Sequence, residues 1–388
     1  MSNNVSALVK QKYTKEVQAL LEQSLVSMTL ANTTLLSQMP DGNTINYPKP
    51  NYSSTTQYVK YTDIVSSDLE FDNETLVINK HPVTSFEFDL VDEQDVGYDV
   101  VWGTTKRNAY LLKEEIDGDF FSEYVNAETS SAPVALSTSN VVNVYGTAYA
   151  TLANNGVDTG RIGVVVDPFQ LNMIGQGALG NTFNVADASY KNGYTGGVFQ
   201  NMKVFVSGNL TAEAALNLAT TPTANDTVTI NSVVFTFVAS ATVAGQVALG
   251  ANAAAARANL IAAINGTGTP GTGTYAAVAE KTRNNKLRGL TASEVGTTVL
   301  LTSKRGYKPL SSNLAAAADK FGAVTINNIA MEQGAIHLVM RNEVMLKVED
   351  IQKQLGKRFI THTRYGIKTF SEGAERMYNI KVISQAAE

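Results

Sequence analysis

The chain has 388 residues, 44% of them apolar, and a formal net charge of −5. That length suits two or three cores, and the composition excludes a disordered chain. It also excludes strong sequence-independent nucleic-acid binding, which needs many cations to replace phosphate counterions. There is no cysteine, so disulfide staples, zinc fingers and thiol catalysis are excluded. No apolar run reaches the roughly 18 residues of a membrane span. Lys10, Lys12 and Lys15 interrupt any apolar core of a secretory signal, so folding in a cytoplasm is expected.

At the start of the chain Val17, Leu20, Leu21, Ser24, Leu25 and Met28 fall on one helical stripe. Pro40-Asp41-Gly42-Asn43 then predicts a stop and a turn. Residues 43–91 place Ile45, Tyr47, Tyr58, Tyr61, Leu76 and Ile78 among Thr, Ser and Asn. Pro48, Pro50 and Pro82 punctuate them. Phe86-Glu87-Phe88-Asp89-Leu90 alternates strictly, as a half-buried strand does. The segment reads as one long two-stranded ribbon with prolines on its exposed edges. Such a ribbon is only marginally stable alone and is expected to lie on another subunit.

From Asp92, a candidate N-cap, to about Asn126 the period is helical, with Ala109, Leu112, Ile116, Phe120 and Tyr124 in step. A helix of about 45 Å is expected, bent or broken at Gly103 or Gly118. Arg161 to Val166 reads as a short buried strand, and Asp167-Pro168 as the cap and first residue of a helix through about Gln176. Lys203 to Ser207 is a further strand.

Composition shifts at residue 211. Thr227–Ile230 and Val233–Val238 predict a hairpin about Asn231-Ser232, and Asn252 caps an alanine-rich helix. Thr297 to Ser303 reads as a strand. Residues 211–326 therefore look like a small α/β module inserted into the preceding domain. Beyond it, Gly334 to Leu346 is apolar. Phe359 to Phe370 and Tyr378 to Val382 are two closing strands joined by the polar turn Ser371 to Glu375.

Catalytic patterns are weak. His81, His337 and His362 are the only histidines and lie far apart in sequence, unlike a metal site; His337, in an apolar run, reads as a core or interface residue. Glu114, Glu115, Asp117 and Asp119 near Lys113 and Arg107 read as a solvated or salt-bridged helix face. Neither a phosphate-cradling glycine pattern nor a serine nucleophile elbow is present. No enzyme, metal or cofactor is expected.

The order of parts resembles the Hong Kong 97-type major capsid proteins of tailed phages. Leu111 to Asp119 is similar to the family's spine-helix segment. Arg161 to Pro168, Asn192-Gly193 and Lys203 to Ser207 resemble its axial domain, and Thr363 to Lys368 with Ile380 to Val382 look like its closing strands. The resemblance covers about residues 1–210 and 327–388. It implies an α+β chain: an arm (1–42), an extended loop (43–91), the spine helix and peripheral domain (92–132) and an axial domain (133–210). The insert (211–326) and a return to the peripheral strands (327–388) complete it. It implies self-assembly into hexamers and pentamers, with a separate scaffolding protein, a portal and a decoration protein as partners. The shell would assemble in the host cytoplasm and enclose DNA without reading its sequence or touching a membrane. Leu21, Leu25, Tyr47, Tyr58, Tyr61 and Arg107 are its expected subunit contacts. A tail-fibre or surface adhesion protein, or a nanocompartment shell of the same fold, are the competing readings.

Overall fold

The computed structural model of the chain describes residues 26–35, 43–50, 57–63, 71–89, 100–180, 198–199, 201–306, 308–316, 318–351 and 356–386. They fall into two compact units. One takes residues up to Lys113 together with Ile336–Phe370, and the other takes Glu114–Ala335 with the C-terminal residues from Ser371.

The first unit is built on a three-stranded antiparallel sheet, with Gly356–Thr369 between Ile336–Asp350 and Val83–Asp89. Thr44–Pro50 pairs with Phe71–Val77 to make a separate two-stranded ribbon. Here the strictly alternating segment departs from expectation. It joins residues 356–362 rather than the ribbon, and Phe86 stacks on its cross-strand partner Phe359 with ring centroids 5.0 Å apart. Alternation specifies which face of a strand is buried but not its partner; the aromatic pair helps fix the partner.

The base of the ribbon is not left bare. Ile45, Leu76 and Ile78 pack with Leu35, Val339 and Phe370. Gly366 explains how the chains lie so close: a Cβ there would stand 2.6 Å from the Val77 carbonyl oxygen. Gly366→Ala is therefore expected to cost on the order of 1–3 kcal/mol through a forced backbone shift. An unchanged melting temperature would remove the close-approach argument.

The helix Val100–Phe121 runs through both Gly103 and Gly118 and passes into a 3-10 turn over Ser122–Asn126. At 22 residues it is about 33 Å long; the proposed cap Asp92 lies outside the described residues. A break at Gly103 does not occur, because one glycine costs only about 1 kcal/mol in a helix held by packing. Gly118 has a different role. A Cβ on it would meet the Lys304 carbonyl oxygen at 2.8 Å, so the glycine admits a neighbouring segment.

The second unit centres on a nine-stranded mixed sheet. Ile162–Val166, buried at all five residues, lies parallel to Met202–Val206. Asp167 caps the helix Pro168–Gly180, its carboxylate accepting the Phe169 N–H at 2.9 Å. The helix Val141–Asn154 covers this part with Tyr145, Ala148 and Leu152. Val324–Glu332 is the spine of the sheet: it pairs with Met377–Gln385 along its length, with Ala212–Asn217 at one end and Ile162–Val166 at the other. The two closing strands thus enter different sheets, and Ser371–Glu375 between them is a short helix.

A second core draws every member from residues 214–324, with Phe235, Phe237, Leu260 and Phe321 at its heart. Asn231 and Ser232 both take positive φ, 46° and 66°, as a two-residue turn matched to strand twist requires. Asn252 accepts the Ala255 N–H at 2.9 Å, and Gly266 closes the helix Ala253–Asn265 at φ 63°. Leu290–Val295, which pairs with Thr298–Ser303, and Leu310–Asn313 are strands the sequence reading lacked.

Candidate assembly surface

Among the expected contact residues, Tyr58 and Tyr61 lie in the described segment 57–63 between the two ribbon strands, 68% and 89% exposed, with Val59 between them at 64%. Tyr61 has φ 69°, a backbone state uncommon for a large side chain, and the Lys60 ammonium sits 5.0 Å from its ring centroid. Tyr47 is placed differently. Its ring stacks on Phe370 at 4.9 Å and tilts against His337 at 5.8 Å, within its own unit. Arg107 is exposed on the long helix. Leu21 and Leu25 lie outside the described residues.

A second surface was not foreseen. Phe169, one residue into its helix, is 83% exposed, and Met173 on the next turn is 39% exposed. Beside them runs a groove of about 540 Å³ lined by Leu136, Pro168, Ile326, Val382 and Ile383. Exposed apolar side chains scattered singly are ordinary; two of them grouped beside an apolar groove make this a candidate contact surface. The signal in the sequence is slight, a bulky apolar residue directly after an Asp-Pro helix start. Burial raises the Asp167 carboxyl above its usual range, and the hydrogen bond from Phe169 N–H works against that rise.

The acidic helix face is salt-bridged, but by other partners than Lys113 and Arg107. The Arg305 guanidinium donates to Glu114 and, at 2.9 Å, to Glu115. Arg288 reaches Glu114 at 3.2 Å, and Lys304 reaches Asp119 at 2.5 Å. Arg305 is only 9% exposed and Glu114 14%, so these are interior charges. Lys308 nearby is held below the usual lysine range, first by burial and then by Arg305, with Glu114 opposing. Among the described residues, no three of His, Cys, Asp and Glu are grouped to hold a metal.

His337 is buried against Phe370, centroids 4.7 Å apart, and desolvation lowers its pKa. His81 and His362, 281 residues apart, meet with Nε2 and Nδ1 separated by 3.3 Å.

No family model matches the chain, and no curated protein does. Solved structures do. A chain of "Mycobacterium phage Che8" is 12% identical with a TM-score of 0.55, over 92% of this chain and 91% of that one. "Capsid structure of the Cyanophage P-SCSP1u" is 11% identical at TM-score 0.47, over 92% and 88%. "Capsid of Ralstonia phage GP4" is 10% identical at 0.47, over 92% and 87%. The chain has the mixed α+β fold of the first of these.

Proposed function

We propose that this chain is the major capsid protein of a tailed phage, folded in the Hong Kong 97 manner and assembling into an icosahedral shell around double-stranded DNA. The observation that carries the reading is the fold shared with a phage chain over nine-tenths of both. The order of arm, loop, long helix and closing strands agrees with it. The work of such a protein is mutual burial. The 57–63 segment and the Phe169 surface each present apolar area that a neighbouring copy would cover, at about 25 cal/mol per Å². Repetition around a closed symmetric ring multiplies a modest contact into a stable shell. The net charge of −5 suits a wall that packaged DNA does not adhere to.

Residues 211–326 are an inserted module in this reading, placed on the outer face of the shell. Its core is self-contained, and its ends are neighbours: Ala212 pairs with Ile326, and the Asn327 N–H donates to the Thr211 carbonyl at 2.9 Å. Scaffold, portal and decoration proteins are the proposed partners, the virion capsid the location, and the role a structural one without catalysis.

Negative-stain microscopy of the purified chain, alone and co-expressed with its neighbouring phage genes, tests this. Closed particles of icosahedral symmetry are expected. A monodisperse monomer under both conditions, at high concentration, would sink the proposal.

A further inference from the structure

The two histidines that meet in the first unit stand at a distance that is long for a direct hydrogen bond and suited to a shared ion. Their nitrogens stand 3.3 Å apart, with ring centroids at 5.3 Å and planes inclined by 76°. Hydrogen bonds donated by N–H to oxygen run from about 2.7 to 3.2 Å, so this separation lies at or beyond the long end. Nitrogens 3.3 Å apart and pointing straight at each other would also hold the centroids about 5.6 Å apart, given the near-linear geometry such a bond prefers. Two imidazoles sharing one tetrahedral ion at about 2.0–2.1 Å place their nitrogens about 3.3 Å apart and their ring centres about 5.2 Å apart. The observed pair has the second set of distances.

The surrounding backbone holds both rings in place. His362 lies within the strand Gly356–Thr369, opposite Val83. His81 is tied to the same strand on both sides. Lys80 exchanges two backbone hydrogen bonds with Tyr365, each 3.0 Å, and the Pro82 carbonyl accepts from the Thr363 N–H at 3.3 Å. Ligands preorganised on paired backbone lose little freedom on binding.

We propose that His81 and His362 form a two-imidazole site for a divalent transition-metal ion of the zinc or nickel class, with the remaining coordination positions open to water. Imidazole nitrogen suits these ions, and only its neutral form binds them. Lys347 is the cation that opposes a bound metal. Its ammonium is paired with Glu349 at 2.6 Å, which tempers that opposition. A bound ion would clamp the segment between the loop and the sheet, joining residues 281 positions apart.

The test uses the full chain after chelator treatment. Zinc chloride and nickel chloride are titrated separately by calorimetry at neutral pH, with His81→Ala alongside. His81 is exposed, so its replacement leaves the fold intact, which circular dichroism checks. One ion per chain in the micromolar range is expected, at least about tenfold weaker in the variant, a difference of about 1.4 kcal/mol. The metal should also raise the melting temperature of the wild-type chain but not of the variant. The sequence has three histidines and no cysteine, and His337 is buried, so few other sites can imitate this one. Equal binding by both proteins would overturn the proposal, as would no binding of either ion at millimolar metal.

Discussion

Replacing Arg305 by alanine is expected to lower the unfolding free energy of the second unit by about 3 kcal/mol. Breaking one partner of a buried ion pair typically costs 3–5 kcal/mol, because the charge left behind stays desolvated. Arg288 remains 3.2 Å from Glu114, which puts the expected value at the lower end. For a folding unit of this size the melting temperature would fall by about 6–12 °C. The informative measurement is a double-mutant cycle in urea with Glu114→Ala. The two changes should couple by more than about 1 kcal/mol, whereas additive effects would mean the charges stabilise nothing through each other.

Phe235→Ala should cost a similar amount or more, about 3–5 kcal/mol, since a fully buried aromatic leaves a cavity that its neighbours only partly fill. Phe235 is 0% exposed in the core drawn from residues 214–324. Its neighbour Val234 points to the opposite face of the strand, 48% exposed. Val234→Ala is therefore expected to stay within about 0.5 kcal/mol of wild type. Denaturant titration of both variants separates the two faces. Equal losses would show that the assigned strand register is wrong.

How much of this could be read from the sequence depended on the range of the interaction. The Asn231-Ser232 turn, the Asn252 cap and the Asp167-Pro168 helix start were legible because each is a local bargain between a side chain and its own backbone. The C-terminal end of the long helix was read too generously, because periodicity fades gradually while the helix gives way at Ser122 to a tighter turn. Strand partners were not legible. Phe86 has the same pattern whether it pairs with the ribbon or with Phe359, and only the latter pairing occurs. Long-range charge pairs were hidden for the same reason: Glu114 and Arg305 lie 191 residues apart, and nothing local to either names the other. The meeting of His81 with His362 is the extreme case, since spacing along the chain was the very ground for discounting a shared site.

The segment from Ala212 to Ile326 begins and ends on adjacent strands of the nine-stranded sheet, about 5 Å apart. On the proposed reading of this segment as an insertion, a few residues would suffice to close the gap left by its loss. Yet it also supplies the cations Arg288, Lys304 and Arg305 that neutralise Glu114, Glu115 and Asp119. Any sequence grafted in its place inherits that acidic socket and must either bring its own positive plug or arrive with the carboxylates already removed. Exchange at this position is then expected to be easy for the backbone and selective for charge.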